Sequence, residues 1–451
     1  MDTIVAVATP PGRSAIGMIR MSGPRSVDIL RALVRDPQFN PGPNQIVLRQ
    51  IFLGGSEEVL DSSLVSFFKS PHSFTGEDMV EVSCHGSPVV LRQLLDQIQQ
   101  LDARLAGPGE FTLRACRNGK LNLSQAEAIR DLINARTSAA AQQAVRQLTG
   151  ELSTALEKPK GELISAIVRL ESALEFVEDD LPQLRNNEVV DQVSRTLAGI
   201  HALSRTFATG HLLREGIKVA LVGRPNVGKS SVFNRLLRFD RAIVTDLPGT
   251  TRDSLVEQIS LQGIPVSLTD TAGMREAGDR IEALGIGRTQ QAIADADLVV
   301  VVVDGSANLL PEDHAVLKQA AANKHIVAVN KTDLPRSPQI DNQLAVESPV
   351  VHLSALTGQG LEDLTAAIVK PFAEVDSESV GLMITDSRHY DLLRRAESSL
   401  EGSLLLLGQN ASEELVLVGL HNALRFLGEI TGETTTEDIL GQIFSTFCIG
   451  K

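Results

Sequence analysis

Apolar positions fall into distinct textures along the chain. Up to about residue 118, short β-rich runs alternate with Gly/Pro turns: Thr3–Ala8, Ile16–Met21, Leu64–Phe68 and Met79–Ser83, with a more helical stretch over Val89–Leu101. Short apolar or β-branched runs bounded by turn residues predict strands, so a compact α+β domain is expected here. From Ala126 to about Gly210, Gly and Pro thin out, and Leu163, Ile167, Leu170, Leu174 and Val177 step by four and three. That spacing sets them on one face of a helix and predicts a bundle core.

At Gly216 the texture changes again. Lys218–Gly223, Pro265–Asp270, Leu298–Asp304 and His325–Asn330 are apolar or β-branched runs separated by helix-like segments. Such alternation predicts a mostly parallel sheet covered by helices. Helical spacing resumes after about Gly381, where Leu393, Ala396, Leu400, Leu404 and Leu407 step by three and four. The expected fold is therefore multidomain. An α+β N-terminal domain covers 1–118, a discontinuous α-helical domain covers 119–212 and 377–451, and an α/β domain is inserted over 213–376.

Composition narrows the function. Hydrophobic residues make up 43% of the 451, with no Trp and only Tyr390 among the tyrosines. Sizeable cores built from Leu, Ile, Val and Ala are expected, and a disordered chain is excluded. The formal net charge is −14. A protein that grips nucleic acid by charge alone is basic over the contacting domain, so an RNA contact here must be local or shared with another subunit. Cys84, Cys116 and Cys448 lie far apart and form no CxxC pair, which fits a reducing compartment. The opening MDTIVAVATPPGR has no secretory pattern, and Leu298–Val303 is far shorter than the ~20 residues of a membrane helix. The expected location is the cytoplasm.

The strongest chemical signal is Gly223-Arg-Pro-Asn226-Val227-Gly228-Lys229-Ser230-Ser231, directly after the apolar strand Val219–Val222. Glycines let such a loop wrap phosphates with backbone N–H groups, and the next helix adds its positive end. Lys229 is expected to bridge the β- and γ-phosphates, and the Ser230 hydroxyl to bind Mg²⁺. Asn330-Lys331-Thr332-Asp333 follows another strand. An Asp333 carboxylate can accept two hydrogen bonds from the N1–H and 2-amino group of guanine, which adenine does not offer. Asn330 would brace the loop and base edge, the Lys331 stem would lie on the ring, and Ser354-Ala355-Leu356 would offer backbone N–H to the guanine O6. Asp270-Thr271-Ala272-Gly273 completes the set, with Asp270 toward the Mg²⁺ shell and the Gly273 N–H toward the γ-phosphate. This pattern predicts a Ras-like P-loop GTPase domain.

Two details qualify the mechanism. The position after Gly273, which in the Ras pattern holds a water-orienting Gln, is Met274. Asp246-Leu247-Pro248-Gly249-Thr250-Thr251 forms a candidate switch segment, with Thr251 a natural second Mg²⁺ ligand; its neighbours read equally as a surface turn.

The block GRPNVGKSS–DLPGTTRD–DTAGMRE–NKTD, together with ATPPGRSAIGMIRMSG, SFTGEDMVEVSCHG and the closing Cys448-Ile-Gly-Lys451, resembles the TrmE (MnmE) family of tRNA-modification GTPases. The likeness runs along essentially the whole chain and distinguishes it from Era-like relatives. The resemblance implies G domains that meet across the nucleotide, with K⁺ in the place of an arginine finger. Asn226, Thr245, Leu247 and Thr250 would ligate that ion, and Glu282 would orient the water. On residues alone Glu282 is a solvated helix charge, and Arg252 and Arg275 are surface charges as readily as supporting cations.

The resemblance further implies an N-terminal domain that dimerises and binds a tetrahydrofolate derivative (5,10-methylene or 5-formyl form) through Arg20, Glu77, Lys120 and Lys451. Without it these are surface or structural charges. It also implies a homodimer joined by the FAD-dependent MnmG (GidA) into a heterotetramer. That assembly would act on tRNA, adding a carboxymethylaminomethyl or aminomethyl group at C5 of the wobble uridine (U34). Cys448 is a candidate for that chemistry or a packing residue. Cys84 and Cys116 are read as packing residues and His85 as a structural histidine. The competing class is an RNA- or ribosome-associated GTPase switch acting in assembly, which needs no folate.

Overall fold

The computed structural model describes residues 2–54, 57–175, 182–239, 256–270, 290–344, 348–372, 381–434 and 437–450. The chain divides into two compact units: Met1–Arg130 with Gln147–Lys160 and His421–Lys451, and Asp131–Arg146 with Gly161–Leu420. Among the described residues no helix is long and apolar enough to cross a membrane.

In the first unit, strands β1 (Ile4–Val7), β2 (Ser14–Ser22), β3 (Ile46–Phe52), β4 (Val59–Phe68), β5 (Met79–Gly86) and β6 (Arg104–Leu105) form one sheet in the order β3-β4-β5-β2-β1-β6. All neighbours are antiparallel except β1 and β6. Because successive side chains point to opposite faces, Val5, Ile19, Met21, Val80 and Val82 share one face. The helices Ser26–Val34 and Pro88–Gln100 cover it with Ile29, Leu30, Leu33, Leu91, Leu94 and Ile98. On the other face Phe111, from the helix Glu110–Arg117, packs with Ile4 and Ala6, and Arg20 pairs in register with Ala6 and Glu81.

The helix Ser26–Val34 and strand β3 are additions to the expected elements. Ile46 and Leu48 of β3 are exposed while Ile51 is buried, so its apolar positions fall on both faces. The C-terminal segment closes this unit. Phe444 and Phe447 pack on Leu123 and Ala126, Ile449 makes a bridge with Pro108, and the Gly109 N–H donates to the Cys448 carbonyl at 3.3 Å.

The second unit contains a sheet of β7 (Ile217–Val222), β8 (Val256–Leu261), β9 (Ile264–Asp270), β10 (Leu298–Asp304), β11 (His325–Asn330) and β12 (Val350–His352), in the order β12-β11-β10-β7-β9-β8. Every pairing is parallel except the β8–β9 hairpin, which adds an antiparallel edge. Strand β10 is buried along its whole length, as parallel strands with both faces covered must be. Val300 and Val302 enter one core, while Val299, Val301 and Val303 enter another.

Long helices of the second unit include Pro182–Ser204 and Ser387–Gly408. The apolar stripes fall where their spacing predicts. Leu163, Ile167, Leu170, Leu393, Ala396, Leu400 and Leu407 are buried, Leu174 and Leu404 are half-buried, and Val177 lies outside the described residues.

Candidate functional site

The nucleotide segments leave the second sheet at the C-terminal ends of β7, β9, β11 and β12, the edge at which open α/β sheets bind ligands. The loop after β7 turns through left-handed backbone at Asn226 (φ 64°) and Gly228 (φ 97°). A Cβ on Gly228 would stand 2.3 Å from the Asn330 Nδ2, so both conformation and close approach require glycine there. The helix Lys229–Phe239 starts immediately afterwards, so its first N–H groups and positive end face the loop.

Lys229 is buried, and its Nζ donates to the Gly223 and Arg224 carbonyls, each at 2.8 Å, which draws the ammonium across the loop. Ser230 Oγ donates to Asp270 Oδ2 at 3.0 Å. A hydroxyl and a carboxylate brought together at the phosphate end suit Mg²⁺, a hard cation that favours a few protein oxygens plus phosphate. Val227 of the loop is buried and Asn226 exposed, and Ser231 is exposed in the first turn of the helix.

On the base side, Asn330 braces two loops. Its Nδ2 donates to the Val227 carbonyl at 2.9 Å, and its Oδ1 accepts the Ala355 N–H at 3.0 Å. Asp333 Oδ1 accepts from Ser354 Oγ, and Thr332 N donates to the Leu353 carbonyl at 3.3 Å. Leu356 is exposed beside them. Lys331 adopts φ 68° and its Nζ bonds Asp304 Oδ2 at 2.6 Å. Burial raises the Asp304 carboxyl, but the Lys331 ammonium and the Ser306 hydroxyl and N–H outweigh it and hold it below the usual carboxylate range. Asp304 was not singled out from sequence. Its place at the C-terminal end of β10 was the signal that could have found it.

Thr245, Asp246, Leu247, Pro248, Gly249, Thr250, Thr251, Thr271, Ala272, Gly273 and Glu282 lie outside the described residues, with Arg252, Arg275 and Lys451.

In the first unit, Arg20, Glu77 and Lys120 gather around the segment 71–78. Arg20 pairs with Glu81 through Nε at 2.9 Å and Nη2 at 2.7 Å, and its guanidinium stands 5.8 Å from the Phe74 ring centroid. Its Nη1 also reaches the Gly450 carbonyl at 3.4 Å, which places the C-terminal residues at this cluster. Glu77 accepts from Ser22 Oγ at 2.7 Å and from Arg114. Lys120 Nζ donates to the Pro71 carbonyl at 3.0 Å, and its stem lies against Gly76. Glu81 and Arg114 escaped the sequence reading because strand register and a contact between distant segments bring them in.

His85 is exposed rather than buried. Its ring Nδ1 stands 2.7 Å from Asp61 Oδ1, and its backbone N–H donates to the same carboxylate at 2.8 Å. Burial pushes the Cys84 thiol up to about 11 and the Cys116 thiol up to about 12, so both stay protonated at neutral pH. Cys448 is exposed, unlike a packing cysteine.

Residues 3–120 match the family model for the GTP-binding protein TrmE N-terminus, and residues 123–448 match that for the MnmE helical domain. A tRNA modification GTPase MnmE from Aquifex aeolicus is 43% identical over 455 residues, covering 100% of both chains. A protein of the same name from Koribacter versatilis is 43% identical over 453 residues, covering 100% of this chain and 99% of that one. One from Thermotoga maritima is 40% identical over 458 residues, with 100% of both covered. By these matches, the chain belongs to the MnmE (TrmE) family of tRNA-modification GTPases.

Proposed function

We propose that the chain hydrolyses GTP in a potassium-dependent manner and is one half of a tRNA-modifying assembly. With an FAD-dependent partner of the MnmG type, it adds a carboxymethylaminomethyl or aminomethyl group to C5 of the wobble uridine. The observation that carries the nucleotide part is the Asn330 brace, which fixes the phosphate loop and the Ser354–Leu356 loop to one side chain. A site so built holds phosphate and guanine in one register, and orientation of this kind is a large share of phosphoryl-transfer catalysis.

Mg²⁺ fits the Ser230 and Asp270 oxygens, with Thr251 as a further ligand, and would offset charge on the β- and γ-phosphates. For K⁺, Asn226 sits in left-handed backbone on the exposed side of the loop, a position that can present its amide oxygen outward. Thr245, Leu247 and Thr250 would add oxygens, and Glu282 would orient the attacking water.

A tetrahydrofolate derivative fits the first unit by its donor set. Glu77 is a carboxylate able to accept ring N–H groups, while Arg20, Lys120 and Lys451 offer cations for its carboxylate tail. The bound folate would supply the one-carbon unit, and this chain's residues would hold and orient it. The net charge of −14 fits a protein that leaves much of the tRNA grip to its partner.

The test is nucleoside analysis of substrate tRNA after incubation with the chain, the partner, GTP and a tetrahydrofolate donor. Modified uridine that appears only with all four components is the expected result. No modification and no folate binding, with GTP hydrolysis intact, would instead favour an assembly switch.

A further inference from the structure

Behind Glu77 lies a chain of charged groups that the sequence did not announce. Glu77 Oε2 accepts from Ser22 Oγ at 2.7 Å and from Arg114 Nη1 at 3.1 Å, and Oε1 accepts from the same nitrogen at 3.3 Å. Arg114 is almost fully buried and is held on its other side. Nη1 donates to the Asp2 carbonyl at 2.8 Å, while Nη2 donates to Asp2 Oδ1 at 2.7 Å and Glu110 Oε1 at 3.0 Å. Glu110 is clamped in turn by Arg104, through bonds of 2.5 and 2.8 Å, and by the Gly107 N–H at 2.9 Å. The order Arg104–Glu110–Arg114–Glu77 therefore runs from an exposed arginine inward to Glu77.

The bonding is uneven along this chain. Among the described residues, Glu110 accepts from two guanidiniums and a backbone N–H, whereas the Glu77 carboxylate accepts from one arginine nitrogen and one hydroxyl. A carboxylate offers about four acceptor positions, so Glu77 keeps capacity for a ligand while its orientation is set from behind. A guanidinium pinned by other carboxylates is a rigid fork, which a lysine ammonium does not reproduce.

We infer that Arg114 is a positioning residue for Glu77. It holds that carboxylate oriented to accept ring N–H groups of a bound pterin. The inference rests on the folate reading given above. Its role differs from general structural support, because a positioning defect is felt only by a ligand that has those N–H groups to offer.

The experiment is calorimetric titration of the full-length chain with 5-formyltetrahydrofolate and with its 2-desamino analogue, which lacks the ring amino donor. Wild type, Arg114→Gln, Arg114→Lys and Glu77→Gln are compared, with GTP hydrolysis confirming an intact chain. Wild type is expected to prefer the parent folate by about 10-fold or more, as a site built on such bonds does. Glu77→Gln and Arg114→Gln are both expected to abolish that preference, and Arg114→Lys to leave it largely lost.

If Glu77→Gln removes the preference but Arg114→Gln weakens both ligands equally, or neither, the positioning role is overturned and the folate reading stands. Full preference in Arg114→Lys would overturn the fork geometry, which is the substance of the inference. If wild type binds neither ligand, the folate reading fails and takes this inference with it.

Discussion

The side-chain amide of Asn330 donates to the backbone carbonyl of Val227 at 2.9 Å, and the bond joins the end of strand β11 to the middle of the phosphate loop. The same side chain accepts the Ala355 N–H. Removing it would leave a buried carbonyl and a buried N–H without partners, at about 1–3 kcal/mol each. Asn330→Ala is therefore expected to weaken GTP and GDP binding by about 10- to 100-fold. Titration with a fluorescent guanine nucleotide checks this; unchanged affinity would mean that the loops hold their register without the brace.

Gly228→Ala tests the same contact from the other side. The new Cβ would stand 2.3 Å from Asn330 Nδ2, on backbone at φ 97°. Strain of that kind costs about 1–3 kcal/mol before the displaced amide is counted. Nucleotide binding is expected to fall below detection in the same titration while the far-ultraviolet circular dichroism spectrum stays unchanged.

Lys331 reaches the base side with its ammonium fixed on Asp304 at 2.6 Å. Asp304→Asn would keep the shape and remove the charge, letting the lysine stem swing. A loss of about 5- to 10-fold in guanine-nucleotide affinity is expected, seen mainly as faster release, because buried charge pairs act chiefly on dissociation rates. Stopped-flow displacement separates the two rates.

Much of this site was legible in the chain because each nucleotide segment is short and local. The loop after β7, Asp270 at the end of β9 and Asn330 at the end of β11 each sit where an apolar run stops, so strand and motif can be read together. The pairs Arg20–Glu81 and Glu77–Arg114 were not legible. Their partners come from different strands and helices, and a shift of one residue in register would turn each strand side chain to the opposite face. Strand β3 is hard to read for a related reason, since Ile46 and Leu48 are exposed while Ile51 is buried, and apolar residues on both faces blur the alternation. The antiparallel edge β8 follows from a hairpin at Gln262-Gly263, where both residues have positive φ. The Gln-Gly pair is weaker punctuation than Asn-Gly or Asp-Gly.

The helical part carries a pH-dependent element. Asp386 caps the helix Ser387–Gly408 and binds Arg214, which also binds Asp131 at 2.9 Å. Burial raises the Asp386 carboxyl, but His389, Arg214 and the Arg388 N–H outweigh it and hold it far below the ordinary carboxylate value. A carboxyl depressed on folding stabilises the protein above its unfolded pKa, about 3.9, and loses that contribution as pH falls toward the folded value. Asp386→Asn is expected to cost about 1.5–3 kcal/mol at pH 7, because it removes one charged partner of Arg214 while Asp131 stays in place. The gap between variant and wild type is expected to narrow below about pH 4. Urea midpoints measured from pH 7 to pH 3 would show that convergence; a constant gap would assign the loss to packing instead of charge.

In the proposed mechanism a cation and an acidic residue stand where the Ras pattern uses an arginine finger and a glutamine. Its most direct test is GTP hydrolysis by the purified chain in potassium against sodium, repeated with Glu282→Ala. Strong acceleration by potassium and loss of turnover in the variant, with GTP binding retained, are the expected results. Equal rates in the two salts, or a fully active Glu282→Ala, would contradict it and leave a GTPase whose water is oriented by another group.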